Sequence, residues 1–282
     1  AALDPPGRGF AFLKMAKLGL IAGNRTFPIH VAKAAKRLGY TVIAVGLKEE
    51  TDPALADQVD QMHWVSFSEI GTVPDFFKAA QVQELILAGQ IKAERLLQNN
   101  QKFDGVARGL MRLMPDRSGS SAMKMAVSFL ESKGFKLLDS GKFLKDWIPQ
   151  TQGVLTQRVP TIEEQADLQH GLELARALDR MGIGQSILIR HKAVVAIEAM
   201  EGTDAAIARA GQVAGPGVVL VKACGPDHDM RFDIPVVGPE TLHAMEQAGV
   251  GCLGVEAKRT LLFEREMFLE QADRQKLSVV VL

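Results

Sequence analysis

The chain has 282 residues, 47% of them hydrophobic and 23% charged, with 33 acidic and 33 basic side chains. That length buries a full core and lies where chains form one or two domains, and the balanced charge points to no nucleic-acid partner. Cys224 and Cys252 stand far apart and in no CxxC pair, which argues against a disulfide framework or a zinc ribbon and leads us to expect a reducing, cytoplasmic setting.

Residues 1 to 13 lack the charge-then-apolar order of a signal peptide and are expected to form a poorly ordered leader. No apolar run approaches the roughly 20 residues of a membrane-spanning helix. KLGLIAG, from Lys17, predicts a strand ending in a glycine turn, and FPIHVAKAAKRLGY predicts a helix closed by Gly39. TVIAVG is the next strand, followed by a helix near Val73 to Ala80 and the strand ELILAG. Strands alternating with helices predict a parallel sheet covered on both faces.

Val106 to Ser132 reads as helical and methionine-rich, broken by PDRSGSS, with Met111, Met114, Met123 and Met125 expected to fill core gaps. FKLLDS reads as a further strand. The segment Pro149 to Thr161 (PQTQGVLTQRVPT) has the composition of a linker, and a second domain is expected after it. Thr161 and Glu164 form a capping box for a helix to about Met181, and SILIRHKAVVAIEA predicts a hairpin turning near His191 and Lys192. Then come helix TDAAIARAG, strand GVVLVK, a charged loop, helix PETLHAMEQAG, strand VGCLGVEA, helix FEREMFLEQADRQK and strand SVVVL. The expected fold is α/β in two domains joined by a linker: a Rossmann-like parallel sheet over residues 14 to 150 and a mixed α/β unit over residues 151 to 282.

Several chemistries are excluded by their motifs. After Gly23 the sequence runs NRTFP, without the later glycines of GxGxxG, and there is no P-loop, no GxSxG and no HExxH. Of the six histidines only His228 lies among acids. Two charged clusters follow expected strands, where open α/β sheets place their ligand crevice. In AIEAMEGTDAA, Glu198 leads into Glu201, Thr203 and Asp204, and helix capping alone would explain Thr203 or Asp204. In GPDHDMRFDIPVVGP the strand bearing Lys222 is followed by Asp227, His228, Asp229, Arg231 and Asp233. Converging carboxylates suit Mg²⁺, while Lys222 and Arg231 suit phosphate oxygens; surface ion pairing among Asp227, Asp229 and Arg231 would also account for those charges. Asp233 directly precedes the buried-looking IPVV, where an unpaired carboxylate is costly.

At these residues the chain resembles a known family, the UDP-2,3-diacylglucosamine pyrophosphatases of the LpxI type, from lipid A biosynthesis. The carrying pieces are LGLIAGN, LAGQIK, LTQRVPTIEEQADL, IGQSILI, AIEAMEGTDAAIARAG and VKACGPDHDMRFDIPVVGPETL, spread from Leu18 to the C-terminal domain. The resemblance implies Mg²⁺-dependent hydrolysis of UDP-2,3-diacylglucosamine to UMP and 2,3-diacylglucosamine 1-phosphate (lipid X), in a homodimer of two-domain chains with possible peripheral contact with the inner membrane. It implies Asp233, Asp229 and Arg231 as catalytic residues and Asp233, Asp229 and Glu201 as metal ligands. Substrate contacts are implied at Lys222, Gly23, Asn24, Gly89, Gln185, Thr203 and Asp204.

Two departures stand out against the family's usual pattern. A glycine-richer first turn is replaced by Gly23-Asn24-Arg25, and Ser120 and Ser121 stand where a GDDALL-like stretch has acids. The section from Met111 to Phe129 is a candidate wall for acyl chains. A non-catalytic UDP-lipid binding protein and a nucleotide-sugar enzyme of another reaction type stay open as alternatives.

Overall fold

The computed structural model describes residues 16–91, 103–231 and 233–282; the expected leader lies outside them. Strands β1 (Lys17–Ala22), β2 (Thr41–Leu47), β3 (Gln61–Val65), β4 (Glu84–Ala88) and β5 (Lys136–Leu137) form one parallel sheet in the order β3-β2-β1-β4-β5. The sheet is apolar on both faces because helices cover both. α1 (Phe27–Arg37) packs on one face, with Ile29, Val31, Ala32 and Ala35 against Leu18, Leu20, Val42 and Ala44. On the other face Phe77 of α2 (Val73–Ala79) and Val127 and Leu130 of α4 (Gly119–Ser132) meet Ile43, Val45, Leu85 and Leu87. Between these helices lies α3 (Gly105–Leu113), capped by Asp104, whose Oδ1 accepts from the Ala107 amide at 2.7 Å.

The section expected as one broken helical stretch is therefore two helices, and the expected strand FKLLDS shrinks to two residues. Leu138 still donates to the Leu85 carbonyl, but Asp139 Oδ1 then accepts from the Gly141 amide at 2.7 Å and turns the chain out of the sheet. The edge strand β3 goes unannounced in the sequence because Gln61 and His63 interrupt its apolar pattern.

The second sheet is mixed, in the order β6-β13-β11-β9-β7-β8, from β6 (Gly153–Val154), β7 (Ser186–Arg190), β8 (Ala193–Ile197), β9 (Val218–Lys222), β11 (Val250–Val255) and β13 (Ser278–Val281). A two-residue parallel pair, β10 (Val236–Val237) with β12 (Leu261–Leu262), lies beside it. Helices α6 (Thr203–Ala214), α7 (Pro239–Ala248) and α8 (Arg265–Arg274) cover one face, and α5 (Ile162–Arg180) covers the other.

The capping box forms as the sequence predicts: Glu164 donates its amide to Thr161 Oγ1 at 3.2 Å and accepts from the Thr161 amide at 2.8 Å. Asp167, buried on α5, accepts from the amides of His191 and Lys192 at 2.9 and 2.6 Å and so fixes the hairpin turn, where both residues are left-handed. The linker-like segment is not wholly a linker. Gly153 and Val154 pair antiparallel with Val281 and Val280 at the sheet edge, and Arg158 forks onto Glu164 at 2.8 and 2.9 Å.

The two units share apolar packing. Ile234, Leu261 and Phe263 join the cluster containing Ile29, Leu144 and Ile148, and Phe263 stacks edge-on against His30 at 4.4 Å. On one side of this seam a cleft opens.

Candidate functional site

The cleft lies where the first sheet changes direction. β1 and β4 are neighbours whose connections leave to opposite sides, the place where open α/β sheets bind ligands. The two turns are laced together: Gly23 donates to the Ala88 carbonyl and Asn24 to the Gln90 carbonyl, both at 2.8 Å. A side chain at Gly23 would meet Gln90 O at 2.4 Å, and Gly89, at φ 84°, would press one onto Asn24 O at 2.6 Å. Both glycines are therefore needed for this close approach.

Across the cleft stand one end of the second sheet and the loop leading to Asp233. The cleft has a cavity of about 470 Å³ bordered by Gln185, Lys222, Asp233 and the starts of α6 and α7. A larger one of about 900 Å³ runs toward Ser120 and Met123 of α4 and toward His228. Asn24, Gly89, Gln185, Glu198 and Asp233 border both.

Asp233 is held from two sides. Gln185 Nε2 donates to its Oδ2 at 2.8 Å and to its carbonyl at 3.3 Å, and His228 Nε2 bonds the same carbonyl. Burial raises the pKa of the Asp233 carboxyl; the charges of His228 and Lys222 pull the other way without cancelling it. His228 is itself oriented by Asp179, whose Oδ1 lies 2.7 Å from Nδ1.

Behind Asp233 lies a polar knot. Lys222, only 6% exposed, donates to Thr203 Oγ1 at 2.7 Å and Ser186 Oγ at 3.2 Å and lies 3.6 Å from Glu198 Oε2. Thr203 Oγ1 in turn donates to Glu198 Oε1 at 2.7 Å. Burial pushes the Glu198 pKa up, but Lys222 and the hydroxyls outweigh it and the net shift is downward. Glu198 Oε2 and Asn24 Oδ1 are buried and accept no hydrogen bond within the protein.

Of the residues singled out in the sequence, the structure brings Asn24, Gly89, Gln185, Thr203, Asp204, Lys222 and Asp233 to the smaller cavity, although Lys222 gives two hydrogen bonds to Thr203 and Ser186 and lies 3.6 Å from Glu198. Gly23 borders neither cavity and acts through the laced turn behind Asn24. Asp229 and Glu201 border the larger one. Arg231 borders neither. It forks onto Asp229 through contacts of 2.6 to 3.1 Å and reaches Glu131 of α4 at 2.5 Å, tying the loop to the first domain. These bonds hold the Asp229 carboxyl below its ordinary range.

The structure does not assemble the expected ligand trio. Asp229 is taken by Arg231, Glu201 lies 3.0 Å from Arg209, and among the described residues no three His, Cys, Asp or Glu side chains form a metal cage. Mg²⁺ commonly needs only one or two carboxylates when phosphate oxygens and water complete its shell. The residues present fit that simpler arrangement, because the orphaned Glu198 Oε2, on the border of both cavities, is a carboxylate oxygen that such an ion would use. Sequence reasoning missed Asp179, which lies inside a regular helix with no local signal, and passed over Arg25, which borders both cavities.

Fold and site define a two-domain α/β protein with a charged cleft between its units. Residues 17–147 match the LpxI N-terminal domain model and residues 151–280 the LpxI C-terminal domain model, so the chain belongs to the LpxI family. It is 29% identical over 276 residues to the UDP-2,3-diacylglucosamine pyrophosphatase LpxI of Caulobacter vibrioides, covering 92% of this chain and 95% of that protein. Solved structures resemble it only loosely. A biotin carboxylase domain of a thermophilic 2-oxoglutarate carboxylase is 13% identical with a TM-score of 0.26, covering 62% of this chain and 35% of that one. The biotin carboxylase subunit of a pyruvate carboxylase is 12% identical with a TM-score of 0.28, covering 66% and 39%. Likeness at that level carries no functional argument. Among the described residues no helix is long and apolar enough to cross a membrane.

Proposed function

We propose that this protein is a hydrolase that cleaves the pyrophosphate of UDP-2,3-diacylglucosamine to UMP and 2,3-diacylglucosamine 1-phosphate in lipid A biosynthesis. The observation that carries the reading is Asp233, whose carboxylate is held by Gln185 and whose backbone carbonyl is bonded by His228, at the junction of two cavities, in a chain of the LpxI family. The smaller cavity suits a phosphate-bearing group beside the starts of α6 and α7, where no side chain caps the first turn. The larger one has room for a lipid-bearing sugar.

In this reading Asp233 orients the attacking water and accepts its proton, and its raised pKa makes it a better base than an exposed aspartate. Gln185 keeps the carboxylate aimed. Mg²⁺, when bound, would neutralise charge on the phosphates. Lys222 acts from below through its field on Glu198 and Asp233. Pairing into a homodimer and peripheral association with the inner membrane belong to the same proposal.

A second reading, a UDP-lipid binding protein without turnover, draws on Ser120, which borders the larger cavity where relatives are expected to carry an acid. One experiment separates the two: UMP release from UDP-2,3-diacylglucosamine, with and without Mg²⁺, by the wild type and by Asp233→Ala. Metal-dependent release that vanishes in the variant supports the hydrolase. Binding by both proteins with release by neither overturns it in favour of the binding protein.

A further inference from the structure

A side-chain cation at the phosphates would add to the charge that Mg²⁺ supplies, and the two expected from the sequence are committed elsewhere. Lys222 is buried, donates to Thr203 and Ser186 and is paired with Glu198 at 3.6 Å, and Arg231 is clamped between Asp229 and Glu131 outside both cavities. Arg25 is placed differently. It follows Asn24 in the laced turn after β1, borders both cavities, and has a side chain 61% exposed. Its guanidinium reaches across the cleft to Asp204 at 3.6 Å and Glu240 at 3.1 Å, in the first turns of α6 and α7. Exposed pairs of this kind are weak and exchange readily. The backbone of Arg25 is left-handed, φ 64°, a conformation disfavoured for a side-chain-bearing residue and imposed here by the two bonds that lace the turn to Ala88 and Gln90.

We propose that Arg25 binds the substrate pyrophosphate, exchanging Glu240 and Asp204 for a pair of phosphate oxygens. The inference rests on the pyrophosphatase reading above. A guanidinium fork matches two oxygens at once, which a lysine does not, and the exchange would draw the N-terminal turn and the α6–α7 side onto one ligand.

The test is binding of UDP and of UMP, by calorimetry on the full chain, for the wild type, Arg25→Ala, Arg25→Lys and Glu240→Gln. Loss of a charge-assisted fork to the second phosphate should weaken UDP about 10- to 100-fold in Arg25→Ala and less in Arg25→Lys, with UMP changed far less. Glu240→Gln should bind UDP as tightly as the wild type or more tightly, because it releases the guanidinium. UDP affinity within twofold of wild type in Arg25→Ala would overturn the proposal. So would an equal loss in Glu240→Gln, which would make Arg25 only a tie between domains, and so would failure of the wild type to bind UDP. If that last result came with normal UMP release from the lipid substrate, the pyrophosphatase reading would stand and this assignment alone would fall.

Discussion

His228 bridges Asp179 and Asp233: its Nδ1 lies 2.7 Å from Asp179 Oδ1, and its Nε2 bonds the Asp233 carbonyl. Both partners only accept, so the arrangement is complete when both ring nitrogens carry protons. Burial alone would lower the imidazole's pKa, but the Asp179 and Asp233 oxygens outweigh it and the net shift is upward. The Asp179 carboxyl is pushed up by burial and pulled down further by His228 and the Gly225 amide, for a net fall.

A pH dependence of stability follows from these directions. A raised folded pKa means that His228 contributes fully below its unfolded value, about 6.5, and that the contribution is lost as pH rises through the folded value. Asp179 contributes above its unfolded value and loses its share as pH falls through its lowered folded value. The bridge is therefore strongest in mildly acidic solution. The thermal midpoint of the wild type should fall relative to that of His228→Gln as pH rises from about 6.5 to about 8.5. Parallel curves would show that the bridge does not titrate.

Gln185 aims the Asp233 carboxylate through the 2.8 Å bond to Oδ2. That bond favours the ionised form, so Gln185→Leu should raise the Asp233 pKa above its already elevated position. The acid limb of kcat/KM should move to higher pH by about one unit. A lower rate with an unmoved limb would mean that Gln185 only contacts substrate.

Much of this arrangement is legible in the sequence because local chemistry dictates it. The Thr161–Glu164 box, the hairpin at His191–Lys192 and the run of strands ending in glycine each carry a backbone reason that fifteen residues suffice to show. The crowding of charge after Lys222 marks the loop that delivers Asp233. Which charges face the cleft is not local. Asp229 and Arg231 satisfy each other two residues apart, while Asp233 depends on Gln185, 48 residues away, and His228 on Asp179, 49 residues away. Periodicity cannot report such pairings. Nor can composition show that a glutamine- and threonine-rich segment contributes a sheet edge through Gly153 and Val154.

Lys222 and Glu198 form a buried pair whose members need each other. Removing one leaves a desolvated charge behind, which typically costs about 3–5 kcal/mol. Lys222→Met should therefore lower the unfolding free energy by several kcal/mol. The double variant Lys222→Met/Glu198→Gln should recover part of the loss, because no charge is then stranded. A double variant as destabilised as the sum of the two singles would show that the pair is not coupled. Denaturant unfolding of the four proteins measures this directly.

Met123 tests how the larger cavity is used. It packs partly against the core beneath α4 and also borders the cavity beside Ser120 and Ala122. Methionine suits both tasks, since an unbranched thioether fills gaps and adapts to apolar ligands. If acyl chains run along this wall, Met123→Trp should fill their path and displace terminal methylenes of a long chain while sparing a short one. Each displaced methylene costs about 0.8 kcal/mol, so the loss of two shifts the long-chain to short-chain affinity ratio about tenfold toward the short substrate. A variant with a lower melting point and an unchanged ratio would confine Met123 to core packing and move the acyl path toward the Ile183 and Met200 side of the same cavity.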